Sequence, residues 1–260
     1  MTINNPDLWK HLLPRPTLDS HKYQRGHALI HGAIELVGAT HLAASACNRI
    51  GAGLTTVIAP EKIELYQSVL PPDIMVRGHI DVGVKNVTAV LAGPGGATKE
   101  QIDATINNTF GAFCILDANA IPISNNKQYP KLKNPTVLTP HEGEFSKAFP
   151  FLKGERPDRA IAAAKYSRAI VVLKGSHTII ADPSGKYLIN DHASPWLAKA
   201  GTGDVLAGMV TGLAAQGMDL FEACAAACWI HGEAGLNIGL GLIASDIEKS
   251  LANILKRLLS

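Results

Sequence analysis

Six short apolar runs recur along the chain, at 26–31, 54–59, 87–92, 112–117, 136–139 and 169–174, and they alternate for most of its length with stretches of helical periodicity. These runs are continuously apolar instead of alternating, so each predicts a strand covered on both faces. Strands of that kind belong to parallel sheets with helices packed on either side. Helical patterns fall at 38–50, 99–107, 142–148 and 158–167. The segments 177–181 and 186–190, joined across Asp182-Pro183-Ser184-Gly185, predict an antiparallel hairpin instead. The last 60 residues predict three helices, at 202–216, 220–236 and 245–259. The expected fold is therefore α/β: a mostly parallel sheet, helices on both faces, and a helical C-terminal part. No linker, repeat or low-complexity segment interrupts the 260 residues, so one domain spanning 1–260 is expected.

Composition excludes several function classes. Hydrophobic residues at 47% and charged residues at 18% fit a soluble globular protein. Lys and Arg total 24 against 22 Asp and Glu, and aromatic residues make up only 5%. Neither nucleic acid nor an anionic membrane is expected as a partner on that balance. The first residues lack the apolar core of a secretory signal. The most apolar stretch, 221–230, is short and contains Glu222, well under the roughly 18 apolar residues of a membrane span. Cys47, Cys114, Cys224 and Cys228 sit in a chain too large to need a disulfide framework. Cys224 and Cys228 share one face of a helix but have no further ligands nearby, so they read as small buried side chains. A reduced, cytoplasmic setting is expected.

The strands end in polar or glycine-bearing loops: Gly93-Pro94-Gly95-Gly96, Asp117-Ala118-Asn119-Ala120, Thr139-Pro140-His141-Glu142-Gly143-Glu144, and Lys174-Gly175-Ser176-His177-Thr178. Ligands of open α/β sheets bind outside the carboxyl ends of the strands, so these loops point to one cleft. A further segment, Gly201-Thr202-Gly203-Asp204, opens a strongly helical stretch. Its glycines permit close approach, and the free N–H groups of a first helical turn suit a phosphate. Asp204 fits poorly beside an anion unless it takes a proton from an attacking hydroxyl. Taken alone, the same string also describes a helix cap and a turn, which is the plainer reading.

No G-x-x-x-x-G-K-[ST] occurs, which excludes a P-loop protein, and no G-x-G-x-x-G opens a helix after the first strand. The glycines at 93, 95 and 96 admit a ligand's close approach but equally form a structural turn. His141 with Glu142 and Glu144 offers a proton-transfer or metal pair, or simply an acid-rich helix start favoured by the dipole. Lys174 can face phosphate or snorkel to solvent. His27, His31 and His41 show no metal-ligand spacing with a clear third partner.

Read together, these motifs resemble the NAD(P)H-hydrate dehydratase family, over about residues 19–258. The resemblance includes Ser20-His21-Lys22, Gly38-Ala39-Thr40-His41, Gly51-Ala52-Gly53, the four strand-end loops, Gly201-Thr202-Gly203-Asp204, His231-Gly232-Glu233-Ala234-Gly235 and Ala244-Ser245-Asp246-Ile247, in the family's order. Each string is weak; the ordered series is specific. The resemblance implies a ribokinase-like fold and dehydration of the S epimer of hydrated NADH or NADPH (NADHX or NADPHX), with ADP or ATP as co-substrate. It implies that Ala39, Gly95, His141 and Asp204 contact the hydrate. Lys174, Gly175, Ser176, His177, Thr178 and Gly203 would hold the nucleotide, and Gly201, Thr202 and Gly203 would form an anion hole. Asp204 would be the catalytic base. A Mg2+ requirement and a tetrameric homo-oligomer are also implied, with metal ligands unassigned.

Two departures stand out. The family usually has Asp-Ala-Asp-Ala-Leu where this chain has Asp117-Ala118-Asn119-Ala120-Ile121, which puts any metal or polar role of Asn119 in doubt. Lys199 adds a positive charge just before the anion site, either to help nucleotide binding or to point into solvent. No epimerase domain of the kind many relatives carry is expected, so one epimer would be the substrate. Two rivals use the same site: a ribokinase-like kinase of a vitamin precursor, which would release a stable phosphorylated alcohol, and a non-catalytic nucleotide sensor.

Overall fold

The computed structural model describes residues 2–79, 86–124 and 129–260. Among the described residues, nine strands form one sheet: β1 His27–His31, β2 Leu54–Ile58, β3 Met75–Arg77, β4 Val87–Ala92, β5 Phe113–Leu116, β6 Thr136–Leu138, β7 Ile170–Leu173, β8 Thr178–Ala181 and β9 Tyr187–Asn190. Their order is β3-β2-β1-β4-β5-β6-β7-β8-β9. All pairs from β3 to β7 are parallel, while β7-β8-β9 is antiparallel, as the hairpin pattern predicts.

The helices are α1 Val37–Arg49, α2 Ile63–Val69, α3 Lys99–Ile106, α4 Glu142–Ala148, α5 Arg156–Ser167, α6 Thr202–Ala215, α7 Leu220–Ile238 and α8 Ala244–Leu259. Side chains of successive strand residues go to opposite faces. Ile115 and Val172 accordingly join a core with α1, α6, α7 and α8 residues. Leu116, Val171 and Leu173 join a second core with Phe145 of α4 and Ala160, Ala163 and Ala164 of α5. Both faces of the central sheet are thus covered, which is why its strands carry no polar alternation.

Two elements were not legible as patterns. β3 has three residues, all partly exposed, and α2 buries only Tyr66. Neither is long enough to display a period. α5 begins at Arg156, two residues before the helical pattern at 158, because Pro157 is well suited to a first turn where its missing N–H costs nothing. The four cysteines are free and buried, as their apolar surroundings suggest, and burial pushes the Cys47 and Cys228 thiols up to about 12.

The placement of α6 depends on small residues. A Cβ at Gly208 would lie 2.1 Å from the Ala43 carbonyl oxygen, and one at Gly212 would lie 2.3 Å from Ile50 Cγ2. These two glycines, one turn apart, let α6 lie against the backbone of α1. The contact matters because α6 begins at Gly201–Asp204. We expect Gly208→Ala to lower stability by about 1–3 kcal/mol through overpacking. Urea unfolding should show a lower midpoint with the m-value kept, and an unchanged midpoint would remove this packing argument.

Candidate active site

The sheet reverses its winding at β1: β2 and β3 lie to one side, β4 to β7 to the other. The switch leaves a crevice above the carboxyl ends of β1 and β4. Gly93, just after β4, has φ 125°, and a Cβ there would sit 1.9 Å from the Asp117 carbonyl oxygen. Two strand-end loops therefore touch backbone to backbone. Gly95 packs as closely on the other side, where a Cβ would be 2.4 Å from the Leu36 carbonyl oxygen and 3.1 Å from Ala39 Cβ. Ala39, in the first turn of α1, and Gly95, in the loop after β4, are thus neighbours despite their distance in sequence. Thr40 ties them further, its hydroxyl accepting from Ala33 N at 3.0 Å and donating to Pro94 O at 3.3 Å.

Asn119 resolves one of the two departures. Its Oδ1 accepts from Ala97 N at 2.8 Å and its Nδ2 donates to Ala97 O at 2.9 Å. An amide can do both; a carboxylate can only accept. The side chain clamps the loop after β4 and supplies no charge.

The charge of the site is gathered around Lys174, at the end of β7. Its Nζ donates to Asp117 Oδ1 at 2.8 Å and lies 3.8 Å from Glu144 Oε2. Asp117 is 3% exposed and also accepts from the Thr139 hydroxyl at 2.7 Å. Lys174 thus neither snorkels nor reaches freely into solvent. Burial disfavours its ammonium, but Asp117 first, then Glu144 and Asp204, outweigh that and hold its pKa above the usual lysine value. A Cβ at Gly203 would be 3.4 Å from Nζ, so the lysine stands at the mouth of α6.

Asp204 occupies the first turn of α6. Burial and then the Asp117 charge raise its carboxyl to about 6; Lys174 offsets part of this and Glu144 adds to it. A carboxyl of that pKa is suited to exchange protons near neutral pH. The turn before it is built for close approach. Gly201 has φ 90°, and the first helical backbone bond runs from Val205 N to Gly201 O. Intrahelical acceptors are lacking for the N–H groups ahead of it.

Thr202 lends this turn no hydroxyl. Its Oγ1 donates inward to Leu197 O and Lys199 O, and its carbonyl accepts from buried His231 Nε2 at 2.9 Å. Burial lowers His231 to about 4, so the ring is neutral and donates through Nε2. The His231-Gly232-Glu233-Ala234-Gly235 string is explained here. A Cβ at Gly232 would lie 1.8 Å from His192 O, and one at Gly235 2.7 Å from Leu197 Cγ. The glycines seat the segment that leads into Gly201. Lys199 is exposed on that segment and points to solvent.

His141 is the N-cap of α4. Its Nδ1 accepts from Gly143 N and Glu144 N, while Glu144 Oε2 accepts from His141 N at 2.7 Å. The acid-rich start of this helix is therefore a capping box, and its Glu144 also faces Lys174. Glu142 turns away to Arg159 and Arg156. Arg156 was not anticipated from the sequence: its Nη2 donates to Leu173 O and Lys174 O, both at 3.1 Å, and it underlies Gly175. The Gly175–Thr178 turn is closed by Gly175 N donating to Thr178 Oγ1 at 3.3 Å, with Ser176 and His177 exposed at its tip. Among the described residues, no group of three His, Cys, Asp or Glu side chains could hold a metal by itself.

The geometry can be set beside known proteins. The NAD(P)H-hydrate dehydratase family model matches residues 27–257. The chain is 36% identical to a bifunctional NAD(P)H-hydrate repair enzyme of Thermosynechococcus vestitus, covering 93% of this chain and 52% of that one. It therefore spans about half the length of such bifunctional relatives. It is 30% identical to an ADP-dependent (S)-NAD(P)H-hydrate dehydratase of Xanthomonas campestris, covering 94% of this chain and 93% of that one. The solved ADP/ATP-dependent NAD(P)H-hydrate dehydratase of Bacillus subtilis, co-crystallized with ATP and Mg2+, superposes with a TM-score of 0.83 at 28% identity, over 99% of this chain and 98% of that one. The architecture is ribokinase-like. No helix among the described residues is long and apolar enough to cross a membrane.

Asp204 has a measurable energetic signature. Its folded pKa, near 6, lies above the ordinary 3.8, so ionisation is harder in the folded state. The resulting cost is absent below about pH 4, grows as pH rises through 6, and is complete above it. The helix dipole returns only about 0.3–1 kcal/mol to an acid in the first turn. We expect Asp204→Asn to be more stable than wild type by about 1–3 kcal/mol at pH 8, with little difference at pH 4. A variant less stable at pH 8 in urea unfolding would contradict the burial assigned here.

Proposed function

Because the chain belongs to the NAD(P)H-hydrate dehydratase family, we propose that it restores NADH and NADPH from their hydrates, dehydrating the S epimer with ADP or ATP as co-substrate. The observation that carries this reading is one carboxyl with a pKa near 6, set in the first turn of α6 beside the partly buried Lys174 ammonium. The stereochemistry follows the Xanthomonas relative, and nucleotide use follows that relative and the Bacillus structure.

The chemistry begins with a poor leaving group. The hydrate carries a hydroxyl on a carbon beside the ring nitrogen, and hydroxide does not leave readily. Asp204 accepts the hydroxyl proton as the oxygen attacks the terminal phosphoryl group of the nucleotide, whose bridging P–O bond breaks to release AMP from ADP, or ADP from ATP. The N–H groups at Gly201–Gly203 and the Lys174 ammonium stabilise the charge on the phosphoryl group in transfer. Phosphate then departs, driven by the nitrogen lone pair, and loss of a ring proton restores the dihydropyridine. Ala39, Gly95 and His141 position the hydrate; Lys174 to Thr178 and Gly203 hold the nucleotide. The inward Thr202 hydroxyl leaves that residue only its backbone N–H, which already donates to Lys199 O at 3.4 Å, so the free donors of the turn are those flanking it.

Mg2+ fits this site only as a companion of the nucleotide. It commonly binds through one or two carboxylates together with substrate phosphates, keeping several waters. Asp117 and Glu144 are the carboxylates that would meet it, and it would neutralise phosphate charge. We further propose a single dehydratase domain, a cytoplasmic location and a tetrameric homo-oligomer, in line with the family.

The assay is the return of absorbance at the reduced-nicotinamide band when the protein meets hydrated NADH with ADP or ATP. We expect Asp204→Asn to lower kcat by about 10²–10⁴-fold. Near-normal turnover in the folded variant overturns the base role. Accumulation of a stable phosphorylated alcohol would point to a kinase instead.

A further inference from the structure

A cavity of about 280 Å³ lies beyond the crevice, at the carboxyl ends of β1 and β2, and no residue named so far in the reaction lines it. Its wall includes Gly32, Ala33, Pro60, Glu61, Tyr66 and Glu100. Ile34 and Thr98 line both this cavity and a second one, of about 290 Å³, that contains Gly95 and Asn119. The two spaces adjoin, and the second is the proposed hydrate crevice.

We propose that the β1–β2 cavity receives the adenosine half of the dinucleotide hydrate, and that Glu61 there selects the form whose ribose 2′ position carries no phosphate. This inference rests on the hydrate reading given above. Its first support is span. From β5, which positions Asp117, to β2, which positions Glu61, the sheet order counts three strand spacings, about 14 Å. A dinucleotide with its nicotinamide ring beside Asp204 must place its other nucleoside some such distance away, and the cleft continues in this direction.

The second support is the lining. Ile34 and Pro60 give the cavity an accessible apolar side, backed by the buried Ala33, Ala59 and Tyr66. Gly32 closes over this backing, where a Cβ would lie 2.9 Å from Tyr66 Cε2 and 3.1 Å from Ala59 Cβ. Tyr66 is itself fixed, donating its hydroxyl to Ala33 O at 2.8 Å. A flat, mostly apolar base suits that wall.

Charge supplies the third. Glu61, exposed, lies three residues beyond the end of β2 and lines this cavity. A carboxylate accepts from a vicinal diol and repels a phosphomonoester. Lys62 also lines the cavity, but Glu61 and Glu100 outnumber it, and Glu35 lines the adjoining space. The local balance is negative.

The test separates this pocket from the reaction. NAD+ and NADP+ share the adenosine half with the two hydrates, so their binding is measured by titration calorimetry on wild type, Glu61→Gln and Glu61→Lys. We expect wild type to bind NAD+ about tenfold more tightly than NADP+, and Glu61→Lys to erase or reverse that preference, with Glu61→Gln between them. The ratio of kcat/KM for the two hydrates should move in parallel. Equal binding by wild type, a preference for NADP+, an unchanged ratio in folded Glu61→Lys, or no binding of either probe overturns the assignment. Selective binding without turnover of either hydrate would leave the pocket standing and sink the proposed reaction.

Discussion

The Lys174 ammonium, held 2.8 Å from a nearly inaccessible Asp117 carboxylate, sets the terms for everything around it. Taking both charges out of water costs several kcal/mol per ion, and their attraction offsets this only where remaining bonds are satisfied. Thr139 supplies one such bond to Asp117, and Glu144 brings a further negative charge to the lysine. That balance permits a third carboxyl, Asp204, in the same cleft. Without the lysine, Asp117 and Glu144 would repel it further, and its pKa would climb beyond the range useful to a base. The pair also links the ends of β5 and β7, so the electrostatics of the site depend on the spacing of the sheet.

Close backbone packing does the remaining positioning. α6 is fixed by Gly208 and Gly212 lying against α1, and its entry segment by Gly232 and Gly235 lying beneath His192 and Leu197. Both contacts are between small residues and carbonyls or branched side chains, so they tolerate little adjustment. His231, neutral and buried, anchors the carbonyl of Thr202. Five residues on two helices thus hold one turn of backbone without facing the cleft. The turn they hold carries an acid that burial makes costly to ionise, as expected where a site is kept in a less stable state for chemistry.

Much of this was legible in the residues, for identifiable reasons. Buried parallel strands announce themselves as apolar runs, and the strand-end loops carried most of the site residues. The sequence could not reveal which reading each loop would satisfy. His141 and Glu144 proved to be a capping box and also part of the charge cluster, two roles that the same spacing serves. Asn119 departs from the family's usual aspartate because its amide bonds both ways to Ala97, a partner 22 residues distant that no local pattern discloses. Thr202, expected in the anion hole, turns its hydroxyl inward, which depends on where Leu197 and Lys199 place their carbonyls. Arg156 under the Gly175 turn and the short elements α2 and β3 left no period to read.

The winding of the sheet explains how one cleft can serve two nucleotides. From β2 to β7 all strands are parallel, so five spacings, about 24 Å, present carboxyl ends on the same side. The N-terminus of α6 meets this row near β5 and β7, through Lys174 and Asp117, and not at its centre. On the proposed reading the nucleotide occupies the short side, against the β7–β8 turn, and the dinucleotide takes the long side across the switch at β1. That asymmetry matches the sizes of the two ligands. It also places the 2′ position of the longer one beyond every group used in the reaction, where a residue such as Glu61 can alter selectivity while the chemistry around Asp204 stays as it is.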